Sequence, residues 1–210
     1  MICVSLYKKT LEEFRDALAG VEFAEIRLDG GYLPLQHVTD LFSSHPNLIA
    51  TCRPGGLTDT QRERILITAI ESGATHVDIE LGASYGQSLA KFAQSKNCRV
   101  IVSFHDEAIT PPLTTLLKIV ADCYEQGADI AKVACNASSM QDCARLISLL
   151  DSDRPVIPIG LGDLGKMTRI AGPCLGAPFT YASKFKNEET AKGQIEALQL
   201  EHILKELSDV

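Results

Sequence analysis

Short runs rich in β-branched and apolar residues recur along the chain, and each gives way to a stretch whose apolar positions follow helical spacing. The runs are Ile2–Tyr7, Phe23–Asp29, Leu48–Pro54, His76–Leu81, Arg99–Asp106, Asp129–Cys135, Pro155–Leu161 and Pro178–Lys184. Their starts lie 21 to 30 residues apart, room for one strand, one helix and two short loops each time. Eight βα units are predicted. Thr58 or Asp59 is suited to cap a helix ending at Gly73, and Thr110-Pro111 offers a cap and a first-turn proline for one ending at Gly127. Ser72-Gly73-Ala74 and Gln126-Gly127-Ala128 repeat one helix-to-strand turn, and the last helix is predicted from about Thr190 to Leu207. Such alternation admits a doubly wound open sheet or a closed (β/α)8 barrel, and the count favours the barrel. The expected fold is a compact α/β TIM barrel, with parallel strands inside eight outer helices, spanning 1–210 as a single domain.

Composition agrees with one core. The 210 residues are 45% hydrophobic and 22% charged, enough apolar surface for one substantial domain and too little for two. A net charge of −7 and no basic stripe argue against nucleic acid. No apolar run approaches the ~18 residues of a membrane span, and Met1–Tyr7 carries no basic leader. A soluble, unprocessed, cytoplasmic protein is expected. Seven cysteines without a C-x-x-C pair fit neither a disulfide framework nor a zinc cage, and most read as small core residues.

Parallel strands covered on both faces normally read as unbroken Val, Ile and Leu, so ionisable residues inside them need a reason. Glu25 and Arg27 lie two apart, hence on one face of the second strand. Asp78 and Glu80 repeat that spacing in the fourth. Arg53 closes the third run, His105 sits late in the fifth, and Lys132 interrupts Ile130-Ala131-Lys132-Val133-Ala134 in the sixth. Taken singly, each is a solvated strand end or a paired core charge. Together, they would converge on the C-terminal mouth of a barrel, where active sites of this fold sit.

A lysine among Ala and Val is poorly solvated, and Arg27 and Arg53 nearby would further disfavour its charge. A neutral amine can attack a carbonyl, the resulting Schiff base is an electron sink, and a histidine can move protons at the adjacent carbon. Arginines fit a carboxylate bidentately, and Glu25 can accept from hydroxyls. The set suggests a polyhydroxylated carboxylic acid bearing a ketone.

In order and spacing, Glu25-Ile26-Arg27-x-Asp29, Thr51-x-Arg53, Asp78-Ile79-Glu80, Ser103-Phe104-His105-Asp106, Ala131-Lys132-Val133-Ala134 and Gly193-Gln194 resemble the type I 3-dehydroquinate dehydratases. The resemblance covers essentially the whole chain, and the Ser-Phe-His-Asp and Ala-Lys pair, with His105 and Lys132 27 residues apart, is its most specific part. It implies a shikimate-pathway lyase that removes water syn from 3-dehydroquinate to give 3-dehydroshikimate, without metal or organic cofactor. It also implies that Lys132 forms the imine and that His105 removes the neighbouring proton and protonates the departing hydroxyl. Glu25, Arg27 and Arg53 would hold ring hydroxyls and neighbouring charge, and Arg169 with Gln194 would clamp the carboxylate. Thr190 stands where the family has a serine. A homodimer, or fusion to another shikimate-pathway enzyme, is the further expectation.

One departure stands out. Family members carry a glutamate between the strand-three arginine and a Gly-Gly pair, whereas this chain reads Arg53-Pro54-Gly55-Gly56. Either Glu80, with Asp78 in support, orients His105, or the enzyme works without such a carboxylate and turns over more slowly. Other readings stay open. A Schiff-base aldolase acting on a sugar phosphate would use the same lysine and the phosphate-binding loops after strands seven and eight, and a non-catalytic small-acid-binding barrel is a third. Gly160-Leu161-Gly162-Asp163-Leu164-Gly165 matches a dinucleotide pattern, but not in a first βαβ unit and with lysines where the acidic ribose ligand belongs. Asp78, Glu80 and His105 could bind a metal by residue type, without diagnostic spacing. Lys184, in the eighth run, is the one rival nucleophile. His37, His45, His76 and His202 read as structural or surface residues.

Overall fold

The computed structural model describes residues 1–30 and 33–208. Strands and helices alternate: β1 Ile2–Leu6, α1 Leu11–Leu18, β2 Ala24–Arg27, α2 Leu35–Ser43, β3 Leu48–Thr51, α3 Asp59–Glu71, β4 His76–Glu80 and α4 Gly86–Ser95 form the first half. The second half is β5 Arg99–Asp106, α5 Leu113–Glu125, β6 Ile130–Asn136, α6 Met140–Ile147, β7 Val156–Leu161, α7 Lys166–Cys174, β8 Thr180–Ser183 and α8 Ala197–Ser208. All ladders are parallel in the order β7-β6-β5-β4-β3-β2-β1-β8. This is the (β/α)8 barrel that the alternation predicts, with every strand starting within two residues of its predicted run.

The period of two along each strand sorts the barrel interior into two levels. Cys3, Phe23, Ile49, Ile101, Ile130, Ile157 and Phe179 point inward and pack together at the N-terminal end. Two residues further along the same strands come Ser5, Glu25, Thr51, Ser103, Lys132, Ile159 and Tyr181. The first level is an apolar floor, and the second is largely polar. The opposite parity (Val4, Ile26, Ala50, Val77, Val102 and Val133) packs outward against the helices. Six of the seven cysteines are buried, only Cys174 is exposed, and all are unpaired. Among the described residues, no helix is long and apolar enough to cross a membrane.

Thr58 caps α3 by accepting from the Gln61 backbone N–H, as predicted. Two helix starts differ from the sequence reading. Thr110 does not cap α5, because its hydroxyl donates to the Asn136 carbonyl and Pro112 holds the cap position instead. The last helix begins at Ala197 rather than near Thr190. Gly193 there has φ +79°, a conformation that breaks a helix, and Ser183 N–H donates to Ile195 O at 3.0 Å, drawing the chain back along β8.

The barrel seam is also different from a closed ring. No β7–β8 ladder joins the described residues; the segment before α8 fills the gap, with Gly162 N–H donating to Lys192 O at 3.2 Å. The Gly-x-Gly-x-x-Gly stretch serves this seam. A Cβ on Gly165 would run into the Gly160 carbonyl, and one on Gly193 into the Gly162 carbonyl. Thr168 pins the same turn, accepting from Gly160 N–H and donating to Gly165 O, both at 2.8 Å.

Gly165→Ala is therefore expected to cost about 1–3 kcal/mol by overpacking. At Gly20, with φ +72° and open space around it, alanine should cost only the left-handed penalty of about 1–2 kcal/mol. Urea unfolding of both variants checks this: Gly165→Ala should also lose the order of the seam, read as raised hydrogen exchange at Gly162, while Gly20→Ala should not.

Candidate active site

Lys132 rises from the middle of β6, 5% exposed, with its Nζ 3.0 Å from Asp78 Oδ2 and 3.7 Å from Glu25 Oε1. The same Asp78 oxygen accepts from an Arg53 nitrogen at 2.8 Å, and Oδ1 accepts from Ser103 Oγ at 2.6 Å. The other Arg53 nitrogen donates to Ser103 Oγ and to Glu80 Oε2, each at 2.6 Å. Glu80 Oε1 then accepts from His105 Nδ1 at 3.0 Å. An unbroken chain of contacts thus runs from Lys132 through Asp78, Arg53 and Glu80 to His105. Because a carboxylate can only accept, Nδ1 carries the proton, and the lone pair of His105 is on Nε2.

Neighbouring register sets the depths of Lys132 and His105 in the barrel. Ser103 lies beside Lys132 and His105 beside Ala134 on β5 and β6, so His105 stands two residues, about 6–7 Å of strand, nearer the mouth than Lys132. On the other side, Glu25 Oε2 accepts from Ser5 Oγ and Oε1 from Thr51 Oγ1 at 2.9 Å. Ser5 Oγ in turn accepts from Thr190 Oγ1 at 2.7 Å.

These charges set each other's protonation. Burial works to raise the Asp78 carboxyl, but Arg53 and Lys132 outweigh it and hold Asp78 well below the usual carboxylate range. Glu25 and Glu80 are also held low against burial, the first chiefly by Lys132 and the second by its bond to His105 and by Arg53. Burial and Arg53 push His105 down, and the Glu80 bond offsets this only in part. The structure corrects one expectation: carboxylates, not arginines, touch Lys132. Arg27 lines the cavity but is held in a two-pronged bond to Asp29 at 2.9 and 2.7 Å, and Arg53 is tied to Asp78 and Glu80.

The opposite wall has the reverse character. Arg169 is 1% exposed on α7, and its hydrogen bonds go only to backbone, Tyr181 O at 3.3 Å and Lys192 O at 3.5 Å. Its Nε is buried without a partner and, among the described residues, no carboxylate pairs with the guanidinium. Burial lowers it to about 10. Gln194 accepts from Thr190 N–H at 2.8 Å, closing the loop beside it. A cavity of about 960 Å³ opens between the two walls, lined by Glu25, Arg53, His105, Lys132, Arg169 and Gln194 among others. A buried lysine, a histidine held below its ordinary value and an arginine with no paired carboxylate among the described residues face one space.

Lys184 is not part of it. Its ammonium donates to the carbonyls of Asp16, Ala17 and Ala19 at 3.3, 2.7 and 3.3 Å, at the C-terminal end of α1. Of the other histidines, His45 bonds Val21 O at 2.8 Å, and His76, pushed down to about 4 by burial and Arg99, stacks near Phe23 in the floor. Sequence reasoning missed Ser5 and Tyr181, and it quoted Thr51 and Ser103 within motifs without giving either a role. Their inward parity was the available signal. Among the described residues, no group of three or more His, Cys, Asp and Glu is arranged to hold a metal ion.

A family model described as type I 3-dehydroquinase matches residues 2–209. A 3-dehydroquinate dehydratase of Methanothermobacter thermautotrophicus is 36% identical over 208 residues, covering 93% of this chain and 91% of the relative. Another, of Desulfotalea psychrophila, is 32% identical over 210 residues, covering 92% of each. The crystal structure of the 3-dehydroquinate dehydratase from Aquifex aeolicus VF5 matches with a TM-score of 0.87 at 27% identity, over 100% of both chains.

Depressed carboxylates stabilise the fold above their unfolded values, 3.8 for Asp and 4.5 for Glu, and that contribution is lost as pH falls through the lower folded values. Stability should therefore begin to fall near pH 4.5 and continue downward. Asp78→Asn should lower stability at pH 7 by about 3–5 kcal/mol, because it leaves buried cations short of counter-charge, and should flatten the acid limb. Urea midpoints between pH 2.5 and 7 measure both; an acid limb as steep as in the parent would contradict the assignment.

Proposed function

The chain belongs to the type I 3-dehydroquinase family and is a hydro-lyase acting on 3-dehydroquinate, and on that premise we propose that Lys132 carries the reaction as an imine while His105 moves its protons. The observation that supports this most is the Lys132–Asp78–Arg53–Glu80–His105 chain, which holds an amine and an imidazole at successive depths of one cavity.

The Lys132 ammonium gives up one proton, the free amine adds to the ketone carbon, and return of that proton lets the carbinolamine hydroxyl leave as water, so that a protonated imine remains. His105 Nε2 then takes the proton from the adjacent carbon, and the electron pair moves into the imine to form an enamine. As that pair returns, the carbon–oxygen bond at the next carbon breaks, and the proton on Nε2 leaves with the hydroxyl as water. Hydrolysis of the imine consumes one water and frees the amine, so the net loss is one water from the substrate. One imidazole serving both proton transfers accounts for loss from a single face.

Glu80 orients His105 by fixing the Nδ1–H tautomer, the role left vacant in the loop after Arg53. Glu25, aligned by Ser5 and Thr51, accepts from ring hydroxyls, and Arg27 and Arg53 shape that wall. Arg169, buried with no paired carboxylate among the described residues, takes the substrate carboxylate as its partner, with Gln194 and Thr190 alongside.

Lys132→Ala should abolish turnover, and His105→Ala should lower kcat by about 10²–10⁴-fold while leaving imine formation in place. Arg169→Ala should chiefly raise KM, since a carboxylate clamp acts on ground and transition states alike. The acid limb of kcat/KM should lie below the ordinary histidine value of 6.5, because burial and Arg53 keep His105 neutral to lower pH. Glu80→Gln removes the one contact that opposes this, so it should shift the limb lower still as well as slow turnover. Steady-state kinetics between pH 4.5 and 9 read all of these, and wild-type kcat in His105→Ala would overturn the assignment.

A further inference from the structure

Tyr181 has no part in the steps above, yet its ring meets the nitrogen on which they turn. Lys132 Nζ lies 4.2 Å from the ring centroid, well inside the ~6 Å reach of a cation–π contact. The side chain is 2% exposed, and its buried hydroxyl has no hydrogen-bond partner among the described residues. Packing alone therefore fixes the ring: Phe179 meets it edge-on at 5.4 Å and is itself braced by Phe23 at 5.0 Å. Tyr181 also stands beside Cys3 of β1 in register, and the cavity reaches it. Lys132 Nζ thus has three neighbours of negative character, the carboxylates of Asp78 and Glu25 and the face of Tyr181.

Resting on the reading of Lys132 as the imine-forming lysine, we propose that the Tyr181 ring is the group that keeps the cationic nitrogen in place once Lys132 has condensed with the ketone. An ammonium offers three N–H donors, enough for both carboxylates. A protonated imine retains one, so only one carboxylate can still be served by a hydrogen bond. The ring attracts charge rather than a proton, and its hold does not depend on how many hydrogens remain. Its planar face also suits a planar iminium. Loss of the ring should consequently cost the imine more than the free ammonium, and the hydroxyl, which has no partner to lose, should matter little.

The test replaces Tyr181 in the full chain with Phe, with 4-fluoro-, 3,5-difluoro- and 3,4,5-trifluorophenylalanine, and with Leu. Fluorine withdraws the ring's negative face while nearly preserving its shape. The readouts are kcat, the fraction of protein carrying a borohydride-reduced adduct of 3-dehydroquinate by intact mass, and the thermal midpoint. Relative to Tyr181→Phe, both kcat and adduct should fall stepwise with each fluorine, by about ten-fold across the series, while the thermal midpoint stays level. Tyr181→Leu should fall at least as far, and Phe should rescue it. A flat fluorine series with an adduct that still depends on Lys132 overturns the role of the ring alone. A loss in Tyr181→Phe as large as in Tyr181→Leu overturns it in favour of the hydroxyl. An adduct that survives Lys132→Ala overturns the underlying reading instead.

Discussion

One oxygen of Asp78 receives Lys132 at 3.0 Å and Arg53 at 2.8 Å, at the base of the cavity where all three side chains are largely buried. Each of these ions costs several kcal/mol to bury, and only mutual neutralisation with full hydrogen bonding makes that tolerable. The surrounding residues can be understood as meeting that condition. Ser103 fills the second Asp78 oxygen, Glu80 takes the remaining charge of Arg53, and Glu25 supplies a further counter-charge to Lys132. His105 is held at the outer end of the same network. The positions of the amine and the imidazole therefore follow from charge balance as much as from backbone geometry.

The barrel contributes a floor and a mouth. Its apolar floor, built from Cys3, Ile49, Ile101, Ile157 and Phe179, seals the N-terminal end and leaves the polar level accessible from one side only. The two walls of the cavity then differ in character: carboxylates gather around Lys132, while Arg169 has no paired carboxylate among the described residues. A substrate with a carboxylate at one end and hydroxyls at the other has one favourable orientation between them. The seam segment that replaces a β7–β8 ladder carries Thr190 and Gln194 to that same wall.

Much of this was legible in the chain. Period-two spacing placed Glu25 with Arg27 and Asp78 with Glu80, and a lysine or histidine inside an apolar strand is conspicuous because burial penalises it. Ser5 was not legible and Thr51 stood in a motif without a role, since a small hydroxyl in a strand is ordinary, and Tyr181 reads as core by type. Parity could have settled the rival lysine: Tyr181 and Ser183 face inward, so Lys184 must face outward, where it caps α1. The start of the last helix was misjudged because Thr190 resembles a cap and only the fold shows Gly193 in the left-handed region. That Asp78, rather than an arginine, is what Lys132 meets depends on how four strands bring their side chains together, which no local pattern records.

The proposed reaction requires that the amine of Lys132, and no other, bond covalently to the substrate ketone. Borohydride reduction during turnover of 3-dehydroquinate, followed by peptide mapping by mass spectrometry, tests it most directly, because reduction makes the imine permanent where it formed. A ligand-sized mass increase confined to Lys132 is expected. An adduct on Lys184 or any other lysine, or none on folded and active protein, would contradict it.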